Sequence, residues 1–131
     1  MPDVNYLAIA VAAVAVFVVS TVYYIAFTDR LKRLSAAYAD ADARPAAWRV
    51  AIEILRSAIV GAVVAGLVSL IDVVDLAGAV QLALALWIGF PVVLLTGSVI
   101  WERVPPMLAV IHAGDWLLKL LMNAVIVTVW R

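Results

Sequence analysis

The segment YLAIAVAAVAVFVVSTVYYIAF, residues 6–27, is the strongest structural signal in the chain. It lies within a longer run, Val4 to Thr28, that contains no charged residue. A helix needs about 20 mostly apolar residues to cross a hydrocarbon core of about 30 Å, so this segment predicts a membrane span. No basic residue precedes it, whereas a secretory signal begins with a positively charged region. We therefore expect a retained span.

Three further segments have the same apolar character. They run from about Trp48 to Ile71, from about Leu76 to Ile100 and from about Met107 to Trp130. Lipid offers no water to pair with backbone groups, so segments of this kind are expected to be helical. Pro105 and Pro106 begin the last one, where the missing backbone donors of proline cost least. The pattern predicts one integral membrane domain over residues 1–131, an all-α four-helix transmembrane bundle.

The composition excludes most other classes of protein. Of the 131 residues, 68% are apolar and 14% are charged, whereas a soluble domain is about 45–50% apolar and about 25% charged. Basic and acidic residues cancel, so no net field attracts nucleic acid. Without cysteine the chain offers no disulfide, thiolate nucleophile or thiolate metal site. The sequence shows no catalytic triad motif, phosphate loop or metal-ligand cluster, and we expect neither enzymatic activity nor a cofactor.

The placement of Lys and Arg predicts how the helices are threaded. The first loop is rich in basic residues, the third carries one and the second carries none. Because basic loops remain in the cytoplasm, we expect loops one and three inside and both termini outside, in the inner (plasma) membrane. The residues counted are Arg30, Lys32, Arg33, Arg44 and Arg49 in the first loop and Arg103 in the third, with Arg131 as the exception.

The first loop also has a helical pattern of its own. Leu31, Leu34 and Tyr38 recur at helical spacing beside three basic residues. This pattern predicts a short amphipathic helix on the cytoplasmic surface between spans one and two, attracted to anionic lipid. The same charges also fit a cytoplasmic anchor with no further role, so both interpretations remain open.

Several short motifs are characteristic in combination. In chain order they are Asn5-Tyr6-Leu7-Ala8, Tyr23-Tyr24, Leu86-Trp87-Ile88-Gly89-Phe90, Glu102-Arg103 and His112-Ala113-Gly114. Taken together, the chain resembles the bacterial membrane family called domain of unknown function 1761, over nearly its whole length. The resemblance implies a small four-span membrane protein. It implies no activity, since none is established for that family.

A polar stripe runs along the fourth predicted helix: His112, Asp115, Lys119 and Asn123. At about 100° per residue these four positions fall within an arc of about 80°. Measured from Met107, Asp115 lies about 12 Å and Lys119 about 18 Å along the helix, close to the bilayer centre. A charge at that depth costs at least about 2.5–3.5 kcal/mol, so we expect the stripe to face the bundle interior or a water-filled cavity.

The polar stripe has two interpretations. Asp115 and Lys119 stand four residues apart with the acid first, which is the favourable order for a helical ion pair. Such a pair could be a structural contact that joins this helix to a neighbour or to a second protomer. Alternatively, the stripe is a proton or ion pathway, or a polar-ligand site, with Asp115 as the titrating group. We expect a carrier of this size to require an oligomer, because one chain offers little room.

Other positions predict packing. Pro91 removes a backbone hydrogen bond in the middle of the third span and predicts a kink. Glu53 and Arg56 fit an interfacial ion pair, and Gln81 fits a hydrogen bond to a neighbouring helix. Small residues recur at four-residue steps in the second span, which permits close helix contact. The two rows are Gly61, Ala65 and Ser69, and Ala58, Ala62 and Gly66.

These observations support two functions. We expect a non-enzymatic protein of the lipid bilayer that acts through association, as a homo-oligomer or as an accessory subunit of another membrane protein. The alternative is a small proton- or ion-coupled transporter that uses the buried Asp115 and Lys119. The rows of small residues favour association, whereas the polar stripe and Pro91 favour transport.

Overall fold

The computed structural model describes residues 4–38 and 46–130. In this part of the chain, four helical segments are long and apolar enough to cross a membrane. The prediction of an all-α, multi-pass membrane protein is therefore confirmed. The helices are α1 (Tyr6–Ala26), α2 (Thr28–Leu34), α3 (Ala47–Leu70), α4 (Leu76–Trp87), α5 (Val93–Trp101) and α6 (Pro106–Val129). A 3₁₀ turn, Ala36–Tyr38, follows α2, and a π-helical turn, Ile88–Val92, joins α4 and α5 into the third span.

The starts of the spans follow from local chemistry. The Asn5 side chain accepts a hydrogen bond of 3.0 Å from the backbone N–H of Ala8 and so caps α1. The Asp75 side chain caps α4 in the same way, through the Gly78 N–H at 2.8 Å. Pro106 opens α6, where its missing N–H would have no helical partner in any case. Three of the four spans thus begin at a capping side chain or a proline, whereas α3 begins after Ala46 without a side-chain cap.

α6 is the central helix of the bundle. α1, α3 and α6 pack against one another, and the third span packs against α6. One apolar cluster, which includes Ile9, Val68 and Leu120, lies at the end of the bundle where Asn5 and Trp130 meet, here called the terminal end. A second cluster contains Leu31 and Ile111 and lies at the opposite end, here called the α2 end. Along α6 the charged part of the polar stripe falls between these two clusters.

α2 folds back onto the bundle. Leu31 is 1% exposed and packs with Leu108 and Ile111, and the Tyr38 ring is partly buried against the same cluster. A helix therefore exists in the first loop, but the side chain of Leu31 is covered by the protein itself. The contact of α2 with a membrane surface and the inside–outside orientation of the four spans remain predictions. The residues Arg44 and Arg131, which entered the orientation prediction, lie outside the described part of the chain.

The third span is interrupted at Pro91. This residue lies inside the π-helical turn Ile88–Val92. The wider turn accommodates proline, which has no backbone N–H to donate to the preceding turn of the helix. Directly before the turn, the indole N–H of Trp87 donates to the carbonyl of Ala113 at 2.8 Å and so connects the third span to α6. An apolar groove of about 540 Å³ lies between α5 and α6, on a different face of α6 from the polar stripe.

The predicted packing positions have different environments. In the first row of small residues, Gly61 and Ala65 are buried inside the chain, whereas Ala62 of the second row is exposed. Glu53 and Arg56 form the predicted ion pair, with side chains that are about half exposed. Gln81 is exposed on α4, and no hydrogen bond joins it to another described helix.

Candidate functional site

Asp115 is the buried acid at the centre of the site. Its side chain is 2% exposed, and both carboxylate oxygens have partners. The Ser20 hydroxyl donates to Oδ1 at 2.6 Å. The Lys119 ammonium lies 2.8 Å from Oδ2, and the Tyr24 hydroxyl is a longer 3.4 Å from the same oxygen. Charge-assisted hydrogen bonds of this kind stabilise a carboxylate in a low-dielectric environment.

Lys119 completes the ion pair that the four-residue spacing suggested. Its side chain is 15% exposed, and its ammonium lies 5.0 Å from the centre of the Trp116 ring, within range of a cation–π interaction. The opposite charges lower the cost of burying each other. An ammonium has three N–H donors, and Asp115 engages one of them, so Lys119 retains donors for a further acceptor.

A hydrogen-bonded chain connects Asp115 to the α2 end of the bundle. The Tyr24 hydroxyl lies 2.7 Å from Nδ1 of His112 as well as near Asp115. When His112 carries its proton on Nδ1, it donates to Tyr24, whose own proton then points to Asp115. Beyond His112 stands the Tyr38 ring, with 6.4 Å between the two ring centres. The order Asp115, Tyr24, His112, Tyr38 therefore leads from the bundle centre towards one end.

Tyr38 lies outside the spans, in the 3₁₀ turn after α2. Burial raises the pKa of its hydroxyl above the usual value of 10.0, and the negative charge of Asp115 raises that pKa further. The Tyr38 phenol therefore remains neutral at physiological pH. It contributes a hydroxyl, not a charge, to the α2 end of the site.

These groups line a cavity of about 610 Å³ between α1, α3 and α6, here called the polar cavity. Thr21 and Ser57 add hydroxyl groups to its wall, and Phe17, Ile25 and Trp116 add apolar surface. The ion pair of Glu53 and Arg56 also lines it. A cavity of this volume, with few charges among apolar side chains, suits a small polar or amphipathic molecule.

Asn123 lies apart from the rest of the polar stripe. It is completely buried and does not line the polar cavity. Its side-chain N–H donates to the carbonyl of Lys119 in its own helix at 2.8 Å, while its Oδ1 accepts no hydrogen bond from the described residues. The structure therefore brings His112, Asp115 and Lys119 together and separates Asn123 from them by one helical turn.

The partners on α1 escaped the sequence analysis. Ser20 and Tyr24 contact Asp115 directly from α1, the neighbouring helix. In the sequence, only the four-residue spacing of Ser20 and Tyr24, which places both on one face of a helix, could have indicated that they share a partner. Tyr23 also reaches α6, because its hydroxyl donates to the Ile111 carbonyl at 2.7 Å. Three residues of α1 thus hold the first and last spans together.

Comparison with known proteins agrees with the motifs. Residues 7–128 match the family described as "Protein of unknown function (DUF1761)". The match covers most of the chain and confirms the resemblance that the motifs suggested. No curated protein and no solved structure matches the chain.

Proposed function

The chain belongs to the DUF1761 family of proteins of unknown function, and from its geometry we propose that it is a small, non-enzymatic proton-coupled carrier. Asp115 is the group that takes up and releases the proton. One observation carries the proposal: this buried carboxylate lines a cavity inside a single chain and is linked to the α2 end through Tyr24 and His112. Ionisable residues inside a membrane domain characteristically mark ion pathways and proton relays.

The ion pair supplies a physical reason for coupling. A proton that reaches Asp115 neutralises the carboxylate and removes the counter-charge of Lys119. The Lys119 ammonium is then available to an anionic or strongly accepting group on a solute in the polar cavity. Release of the proton restores the ion pair and expels that group. Proton and solute thus act on the same pair of side chains.

The volume of the polar cavity also bears on oligomeric state. The expectation that a carrier needs an oligomer was based on the little room in one chain, yet one chain by itself lines a half-open cavity of about 610 Å³. We propose that one chain holds a complete solute site. If loops one and three lie in the cytoplasm of an inner membrane, as their basic residues predict, the polar cavity opens to the cytoplasm.

Proton flux through reconstituted vesicles tests this function. The protein is placed in liposomes that contain a pH-sensitive dye, and a pH gradient is applied across the membrane with inorganic phosphate present as the anionic probe solute. We expect flux with the natural chain and its loss with Asp115→Asn. Glu102→Gln is the matched control, since it makes the same carboxylate-to-amide change at an exposed position outside the polar cavity. Equal flux from Asp115→Asn and the natural chain would exclude the proposal.

Association is the second candidate function, and the exposed surface favours it. Of the most apolar part of the third span, only 11% is buried within the chain, compared with 33% for the fourth span. Ala62, from the second row of small residues, is exposed as well. We propose that a second copy or another membrane protein packs on these faces if the chain acts as a subunit.

Native mass spectrometry of the protein released directly from its own membrane tests association. A stable mass that includes a second copy or another polypeptide is expected. Ala62→Leu should disrupt it by preventing close approach, whereas Val63→Leu, at a neighbouring exposed position that is already large, should not. A monomer without partners would exclude this second function.

A further inference from the structure

The first part of α3 stands apart from the rest of the bundle. None of residues 47–56 is buried, and Ser57 is the first buried residue of the helix, about 15 Å from its start. The apolar cluster at the α2 end takes its described residues from α1, α2, α6 and the adjoining turns. By contrast, Val64, Ala65 and Val68 of α3 pack in the cluster at the terminal end. The helix α3 therefore joins its neighbours only from about its middle onwards.

The polar cavity lies in the gap that this divergence leaves. Glu53, Arg56 and Ser57 form its α3 wall, and Thr21 lies on its α1 wall. Thr21 is exposed although it stands about 8 Å before the end of α1. Both helices are long and apolar enough to span a membrane, so an opening between them at this depth faces lipid. In the described part of the chain, the polar cavity is thus open to the side, between α1 and α3.

The charged side chains of the polar cavity balance one another. Asp115 pairs with Lys119, and Glu53 pairs with Arg56. A proton on Asp115 leaves one positive charge in excess, at the Lys119 ammonium, which lines the cavity and retains N–H donors. The protonated site therefore matches an anion with a single negative charge. A phosphate monoester, with a charge of about −1.5 to −2 at neutral pH, exceeds that excess.

Depth decides which singly charged group reaches the site. Lys119 lies about 18 Å along α6 from Met107, close to the bilayer centre. A charged headgroup at that depth is strongly disfavoured in lipid. The phosphodiester of a phospholipid is always charged, whereas a carboxylic acid enters as its neutral form and becomes charged only beside Lys119. The side opening lets the apolar chain of such an acid remain in lipid while its headgroup lies in the polar cavity.

We propose that the polar cavity binds a long-chain monocarboxylic acid, with its carboxyl group beside Asp115 and Lys119 and its chain directed through the side opening into lipid. The inference names the solute of the proposed function and rests on that function in taking Asp115 as the proton acceptor. On binding, the O–H bond of the acid breaks, its proton moves to a carboxylate oxygen of Asp115, and its own carboxylate pairs with the Lys119 ammonium. Phe17 and Ile25 of the α1 wall provide apolar surface for the chain.

Quenching of tryptophan fluorescence tests this site without a measurement of flux. The protein is placed in phosphatidylcholine vesicles, and the probe is palmitic acid with a bromine on the carbon beside its carboxyl group. The Lys119 ammonium lies 5.0 Å from the centre of the Trp116 ring, so a carboxylate bound there brings the bromine close to that ring. The methyl ester of the probe carries the same bromine but cannot ionise. We expect the acid to quench more strongly than the ester.

This difference between acid and ester should come from Trp116. It should vanish in Trp116→Phe and persist in Trp101→Phe, the matched control, which changes a side chain that is 84% exposed and outside the polar cavity. Equal quenching by acid and ester in the natural chain would overturn the proposal, and so would a difference that Trp116→Phe leaves intact.

Competing molecules identify the occupant. Palmitic acid without bromine should remove the difference between acid and ester, whereas acetate, which lacks the chain, should not. Phosphatidylglycerol added to the vesicles should also leave it, at a salt concentration that screens the surface charge of this lipid. Removal by phosphatidylglycerol would assign the site to a phospholipid headgroup, and removal by acetate would assign it to a small anion. Either result would overturn the long-chain acid.

Two variants test the role of the ion pair in binding. Asp115→Asn imitates the protonated acid and leaves the charge of Lys119 in excess, so the ionised probe should bind more tightly. Lys119→Gln combined with Asp115→Asn removes both charges and so leaves no buried charge unpaired. Its affinity should be about tenfold or more below that of Asp115→Asn, as expected for a lost charge-assisted hydrogen bond. Equal affinities in these two variants would exclude Lys119 as the partner of the carboxylate.

The binding and flux experiments fail separately. If flux with inorganic phosphate depends on Asp115 but acid and ester quench alike, the long-chain acid is wrong and the carrier function stands. If quenching depends on Lys119 while no flux depends on Asp115, the binding site stands and the carrier function fails.

Discussion

Ser20 of α1 donates a 2.6 Å hydrogen bond to Asp115 of α6, across 95 positions of sequence. The bond joins the first and last spans at the depth of the buried ion pair. Thr21, the next residue, bonds instead to the Phe17 carbonyl of its own helix at 2.7 Å. Two adjacent hydroxyl groups therefore have different roles, and only one of them contributes to tertiary structure.

Ser20→Ala should destabilise the protein by about 1–3 kcal/mol, because it leaves a buried carboxylate oxygen without its donor. Thr21→Val is the matched control, since its hydroxyl is exposed and bonds within the helix; it should change stability by no more than about 0.5 kcal/mol. Unfolding in mixed micelles titrated with dodecyl sulfate measures both variants. Equal effects would show that the Ser20 bond does not stabilise the fold.

Lys119→Met should cost about 3–5 kcal/mol, because it leaves the charge of Asp115 buried and unpaired. Adding Asp115→Leu to it should recover much of that loss, so the double variant should be more stable than the sum of the single variants implies. The exposed pair Glu53 and Arg56 serves as the comparison, with an expected coupling of about 0–1 kcal/mol. The same titration provides both double-mutant cycles, and similar coupling in the two pairs would contradict the buried geometry.

Gly114→Ala should weaken the contact between α1 and α6. A Cβ at this position would collide with the Tyr23 hydroxyl, which donates to the Ile111 carbonyl. We expect a loss of about 1–3 kcal/mol, the usual cost of overpacking. Gly97→Ala is the control, because the added carbon has no atom of another described helix or loop within 4 Å. Thermal unfolding in detergent should separate the two variants, and equal melting temperatures would argue against this close approach.

Trp87→Phe should loosen the third span from α6 by about 0.5–1.5 kcal/mol, since it removes the indole donor to the Ala113 carbonyl. Trp101→Phe makes the same change at a side chain that is 84% exposed and should have little effect. Hydrogen exchange of the α4 and α5 amides is the sensitive measurement. Exchange that is no faster in Trp87→Phe than in Trp101→Phe would rule out this role.

The local sequence was sufficient for the four spans and for the ion pair. Hydropathy is a property of contiguous residues, and a run such as Val4 to Thr28 has no structure in lipid other than a helix. The pairing of Asp115 with Lys119 also follows from local geometry, because residues four apart lie on one face of a helix whatever surrounds it.

Only the tertiary structure decided what that face contacts. It placed Ser20 and Tyr24 opposite Asp115, separated Asn123 from the polar cavity and set it against Gly61. It also decided which row of small residues became buried. These outcomes depend on the rotation of each helix about its own axis and on its depth relative to its neighbours. Packing between segments far apart in sequence sets both, and no local pattern of residues specifies them.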